Sequence, residues 1–141
     1  MTIDQITTLI DRHIDGWSHR DPTALSPDHA KDGVVVSPMF GRVEGRAQVR
    51  DSYASLFAIF PDWQMRFDPP IVEGNRVAMS FSVTATHQGD FMGIAGSGRR
   101  CAFEGVFLFQ LDADFLIRDE RRIYDFTGLL VQVGILRIRP V

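Results

Sequence analysis

The stretch RVAMSFSVTATHQGDFMGIAGSGRRCAFEGVFLFQLDADFLIRDERRIYD, residues 76–125, decides the fold. Its first part alternates: Val77, Met79, Phe81, Val83 and Ala85 fall on one side, and Ala78, Ser80, Ser82, Thr84 and Thr86 on the other, the period-two signature of a half-buried strand. Residues 99–111 are apolar on both sides around Glu104, as expected of a central strand, and 115–125 is a further strand on which Ile117, Ile123 and Asp125 share a face. The Gly-rich stretch 89–98 and Asp112-Ala113-Asp114 are short connections, so these strands form an antiparallel meander.

Working outward, residues 64–73 read as a fourth strand, joined through Glu73-Gly74-Asn75. Upstream, Val49, Tyr53, Leu56, Phe57 and Phe60 fall on one side of a helix over 46–59 that Pro61 ends. PMFGRVEG (38–45) reads as a loop, and Val34-Val35-Val36 as a brief strand stopped by Ser37-Pro38. The N-terminus places Ile3, Ile6, Ile10, Ile14 and Trp17 at helical spacing behind Thr2 and Gln5, a capping pair, so a helix is expected over 3–19 with a turn at Pro22–Leu25. The apolar segment 129–136 reads as a helical turn or an extra strand. Helices followed by a curved antiparallel sheet define an α+β domain.

At 141 residues, 45% hydrophobic and 23% charged, the chain is expected to be one domain, 1–141, with a core large enough to need neither disulfides nor a structural metal. The single Cys101 points to a reducing compartment. A net charge of −3 argues against a nucleic-acid partner, and RDERR at 118–122 reads as a solvated strand face. No apolar run approaches the length of a membrane span and MTIDQITT does not resemble a signal peptide, so no membrane association and a cytoplasmic location are expected. Eleven Phe against two Trp and two Tyr imply a bulky interior with few polar handles.

Polar residues in such an interior are either paired or functional. His87 ends the apolar face of its strand and is either a satisfied core histidine or an acid/base facing a cavity. Glu104 is either paired with Arg121 or Arg122 or set in a wet pocket as a ligand contact. Asp125, flanked by Ile123-Tyr124 and Phe126, is either a proton shuttle whose pKa is raised by desolvation or the cap of the next turn. GIAGSG (93–98) lacks the ending of a phosphate loop, no Gly-x-Ser-x-Gly elbow occurs, and His13, His19 and His29 show no ligand spacing, so no metal site is expected.

FPDWQMRF (60–67), VEGNRVAMSFSVTATHQGDFMGI (72–94), GRRCAFEGVFLFQL (98–111) and IYDFTGLLVQVG (123–134), with RDPTAL near the start, together resemble the SnoaL-like polyketide cyclase (ester cyclase) family of the nuclear transport factor 2-like, ketosteroid isomerase-like superfamily. The resemblance implies a cone: a curved antiparallel sheet closed by N-terminal helices around an apolar cavity, dimerising through the outer face of the sheet. It implies cofactor-independent chemistry on a small apolar carbonyl compound, of the cyclase, isomerase or dehydratase type, with Asp125 as general acid/base and His87 beside it. Trp63, Tyr53 and Phe40 are the implied ligand-binding wall. Where the superfamily's steroid isomerases carry a helix-one tyrosine and a basic aspartate, this chain has His13 and Ser37, which argues against steroid isomerisation. Gly96-Ser97-Gly98 replaces the Pro-Thr-Gly of many members. The alternative is a noncatalytic small-molecule-binding or dimerising module of the same fold.

Overall fold

The structure, a computed structural model, describes residues 2–139. Thr2 and Gln5 cap each other at the start of helix α1 (Ile3–Ser18), whose buried face is Ile6, Leu9, Ile10, His13, Gly16 and Trp17. The one-turn helix α2 (Pro22–Leu25) opens on Pro22 and on the Asp21 carboxylate, which accepts from the amides of Thr23 and Ala24. Helix α3 (Arg46–Ile59) buries Val49, Tyr53, Leu56 and Ile59 and ends before Pro61.

Seven strands form one sheet: β1 (His29–Ser37), β2 (Gly41–Glu44), β3 (Gln64–Phe67), β4 (Ile71–Glu73), β5 (Arg76–Thr86), β6 (Arg100–Leu111) and β7 (Ile117–Tyr124). The order is β2-β1-β7-β6-β5-β3, with β4 also paired to β5. The sheet is curved and unclosed, with the N-terminal helices against it. Helix α4 (Phe126–Gln132) follows the last strand, so the segment from 129 continues as helix instead of strand. Among the described residues no helix is long and apolar enough to cross a membrane.

Four expectations change. The brief strand at 34–36 extends over nine residues, and the expected loop 38–45 contains β2, which pairs with β1 as a hairpin. The single strand at 64–73 is two, because Pro69-Pro70 lacks the N–H groups a ladder needs. The sheet is also mixed, because β1 runs parallel to β7 beside the antiparallel meander.

The inner face of β5 carries Val77, Met79, Phe81, Val83 and Ala85, all buried, and that of β6 carries Cys101, Phe103, Phe107, Phe109 and Leu111. Phe107 stacks on Phe81 at 4.7 Å, on Phe109 at 5.5 Å and on Phe67 at 5.9 Å between ring centroids. Gly105 makes room for this stack: a Cβ there would lie 2.7 Å from the Phe81 ring and 2.5 Å from the Ile123 carbonyl oxygen.

The decisive irregularity is in β7. Leu111 pairs with Ile117 but Gln110 pairs with Asp119, so Arg118 is one residue too many and the strand bulges. A one-residue slip moves every later side chain to the other face. Glu120, Arg122 and half-buried Tyr124 therefore point inward, while Arg121 and Ile123 point outward. The expected shared face of Ile117, Ile123 and Asp125 is corrected by this bulge. RDERR is correspondingly only in part a solvated face.

Candidate functional site

The inner faces of β5–β7 and the helices enclose a cavity of about 20 Å³, room for about one water molecule. Its walls include Trp17, Trp63, Phe81, Phe103 and Phe107. Met39 and Phe40, from the turn between β1 and β2, complete the lining and are half-buried. The apolar side chains of the wall fill most of the cone themselves.

Polar side chains in this wall are few: the hydroxyls of Ser37 and Tyr124, and three residues that carry unpaired N–H donors. Arg122 Nη2, Trp17 Nε1 and Trp63 Nε1 are buried and have no protein partner, and all three residues line the cavity. Leaving a buried donor unpaired costs about 1–3 kcal/mol, so three on one wall favour whatever supplies an acceptor. The Arg122 guanidinium is caged by aromatic faces, 5.1 Å from the Tyr53 ring centroid, 5.2 Å from Trp17 and 5.7 Å from Phe107. Burial alone would make Arg122 easier to deprotonate; Glu120, which accepts from its Nε, and Tyr53 outweigh that and hold its pKa above the usual value. Burial pushes the Tyr124 hydroxyl, also in the wall, up to about 12 against the opposing effect of Arg122.

The expected site residues are distributed differently. Trp63 and Phe40 line the cavity. Tyr53 lies behind it, fully buried, its hydroxyl 2.7 Å from His29 Nε2, with burial raising its pKa well above that of a free tyrosine. Glu104 is on the outer face of β6 opposite Ser82, exposed, and forms no ion pair with Arg122, which points inward, or with Arg121, which shares the outer face but is paired with Leu108, four residues along the strand.

His87 continues the inward parity of β5 and is fully buried, but it sits beyond the strand end against Phe60 and Phe91 and does not line the cavity. Its Nδ1 lies 3.0 Å from Ser97 Oγ, in the glycine-rich connection. Asp125 is exposed and caps α4, its carboxylate accepting from the Gly128 amide at 2.8 Å. It also does not line the cavity, although it directly follows the wall residue Tyr124. Phe91 packs on both His87 and Phe126, so His87 and Asp125 border the same end of the sheet. Gln132 pins α4 to that end through both backbone groups of Ala102.

Arg122 and Trp17 were not singled out as cavity residues from sequence. Trp17 reads as ordinary helix core, and Arg122 becomes an inward residue only through the bulge.

A family model described as SnoaL-like polyketide cyclase matches residues 7–133. Among solved structures, AclR, a proposed hydroxylase from Streptomyces galilaeus, is 26% identical with a TM-score of 0.81, the alignment covering 99% of this chain and 91% of that one. A proposed SnoaL-like polyketide cyclase from Jannaschia sp. CCS1 is 22% identical, with a TM-score of 0.83 and coverage of 95% and 94%. TsrD from Streptomyces laurentii is 20% identical, with a TM-score of 0.82 and coverage of 96% and 99%. The last two likenesses, both under 25% identity, speak to the fold. No curated protein matches.

Proposed function

Because the chain belongs to the SnoaL-like polyketide cyclase family, we propose that it is a cyclase-type enzyme acting on a small, largely apolar carbonyl compound by proton transfer at the carbon next to the carbonyl. The observation that carries this reading is the set of three unpaired donors, Arg122 Nη2, Trp17 Nε1 and Trp63 Nε1, on a mostly apolar cavity wall. Such a wall suits an oxygen that gains negative charge as an enolate forms, and preorganised donors of this kind contribute about 3–4 kcal/mol each in other enzymes.

Asp125 takes and returns the proton of a substrate whose acidic carbon projects past the wall residue Tyr124, since Asp125 itself does not line the cavity. It stands at the end of β7, next in the chain to Tyr124, and Gly128 engages only its Oδ1. His87, at the same end of the sheet, lies behind Phe91 with its Nδ1 3.0 Å from Ser97 Oγ, and its part is to position the glycine-rich connection. With room for about one water, the cavity admits a substrate only when side chains of its wall are displaced.

The assay is deuterium uptake from heavy water into the methyl group of an aryl methyl ketone, followed by proton NMR. Wild-type chain accelerates uptake, Arg122→Lys slows it, and Asp125→Asn, which preserves the cap, abolishes it. Full exchange by Asp125→Asn removes Asp125 from the mechanism, and unchanged exchange by Arg122→Lys removes the donor wall. The small cavity favours a second reading, a noncatalytic module that holds its own aromatic side chains where a ligand would sit. That reading wins if the ketone neither exchanges nor shifts the melting temperature.

A further inference from the structure

A second group of buried atoms without partners lies on α1, β1 and β7. His13 on α1, His29 at the start of β1 and Glu120 on β7 are each at most 1% exposed. His13 Nε2, His29 Nδ1 and Glu120 Oε1 have no protein partner. The three side chains bring one ligating atom apiece within 4.8 Å of one another. The opposite atom of each is held: His13 Nδ1 lies 2.9 Å from Asp28 Oδ2, His29 Nε2 lies 2.7 Å from the Tyr53 hydroxyl, and Glu120 Oε2 accepts from Arg122.

We propose that His13, His29 and Glu120 form a binding site for a divalent transition-metal ion of the zinc type. Two imidazoles and a carboxylate are a suitable donor set, and three protein ligands leave a fourth position for water. The surroundings supply the support that metal-bound histidines usually have, an acceptor on the far ring nitrogen. With Asp28 accepting the Nδ1 proton of His13 and the Tyr53 oxygen accepting the Nε2 proton of His29, both remaining lone pairs face the site.

Two features set the affinity. Tetrahedral ligands about 2.0–2.2 Å from an ion stand roughly 3.4 Å apart, so the side chains draw together when the ion enters. Arg122 opposes the ion, whereas Glu120 and, through His13, Asp28 favour it, so binding is weaker than in a closed all-thiolate site. The ion would tie α1 to β1 and β7, so its primary effect is on the stability of the cone, whatever the cavity itself binds.

The test uses the full chain, stripped with a chelator, and cobalt(II) as the probe. Expected are visible ligand-field bands that saturate at one ion per chain and are displaced by zinc, a higher melting temperature with zinc, and two paramagnetically shifted imidazoles in the proton NMR spectrum. His13→Gln and His29→Gln each weaken binding by about 100-fold or more, Asp28→Asn by about 10- to 100-fold, and His19→Gln, on the exposed end of α1, leaves it unchanged. Bands lacking at millimolar cobalt, or binding that survives both His13→Gln and His29→Gln, overturn the proposal. Should those variants fail to fold, the wild-type NMR spectrum decides: two shifted imidazoles support the site, and none overturns it.

Discussion

Replacing Arg122 with Met removes one partner of a buried ion pair and leaves Glu120, 1% exposed, without its cation. Breaking such a pair costs about 3–5 kcal/mol, most of it the penalty of an uncompensated buried charge. The three aromatic contacts at 5.1–5.7 Å add about 0.5–2 kcal/mol, partly offset because Met fills the space of the Arg stem. A loss of roughly 4 kcal/mol is expected, or roughly 10–15 °C for a domain of this size. The comparison that gives the number meaning is Arg121→Met. Arg121 is exposed, and surface changes stay within about 0.5 kcal/mol. Glu120→Gln combined with Arg122→Met removes both charges and should recover about 2–3 kcal/mol of the loss. The assay is urea unfolding in the presence of a chelator, read as a change in midpoint at constant slope. Equal costs at 121 and 122 would mean that β7 does not bulge at Arg118. A double variant no more stable than Arg122→Met would mean that Glu120 is not charged and paired.

Asp125→Ala should lose about 1 kcal/mol by uncapping α4, while Asp125→Asn, an equally good cap, should lose almost nothing; thermal unfolding of the two separates capping from any chemical role. Tyr124, pushed up to about 12 from an ordinary value of 10, holds its proton longer folded than unfolded. Its contribution is therefore complete below about pH 10 and is lost as pH rises toward 12, roughly 2–3 kcal/mol in all. Alkaline unfolding of Tyr124→Phe should show that much less decline than wild type; parallel curves would contradict the shift. The outer face of the sheet exposes Val36, Leu108 and Ile123 on the three adjacent strands β1, β6 and β7. A homodimer through that face is expected, and Leu108→Glu with Ile123→Glu should give a monomer by light scattering; an unchanged mass places the contact elsewhere.

The elements that read correctly from sequence are those whose pattern repeats. The helical stripes expected over 3–19 and 46–59 and the two-residue alternation expected over 76–88 emerge as elements at 3–18, 46–59 and 76–86, within two residues of expectation. The misreadings occur where one residue or one distant partner decides. β2 has four residues and little burial of its own, so only its pairing to β1 makes it a strand. The parallel pairing of β1 with β7 joins segments some eighty residues apart and leaves no local trace. The bulge at Arg118 has no sequence signal at all, yet it turns Asp125 from an inward residue into a helix cap and Arg122 from a solvated charge into part of the cavity wall. His13 and His29 lacked ligand spacing because α1 and β1 meet only in the folded cone.

Glu120 and Arg122 are two residues apart on one strand face, and each satisfies only part of the other. Arg122, which lines the cavity, donates Nε–H to Glu120 Oε2 and keeps Nη2 unpaired; Glu120, beside His13 and His29, keeps Oε1 unpaired. The pair therefore divides the interior into a region that wants an acceptor and a region that wants a cation. Under the two proposals, a cation against Glu120 would weaken its hold on Arg122, and a freer guanidinium would bind a developing oxyanion more strongly. The reverse must hold to the same degree, because coupling between two binding events is reciprocal. One inserted residue in β7, by turning these two side chains inward together, supplies both halves of that arrangement and the link between them.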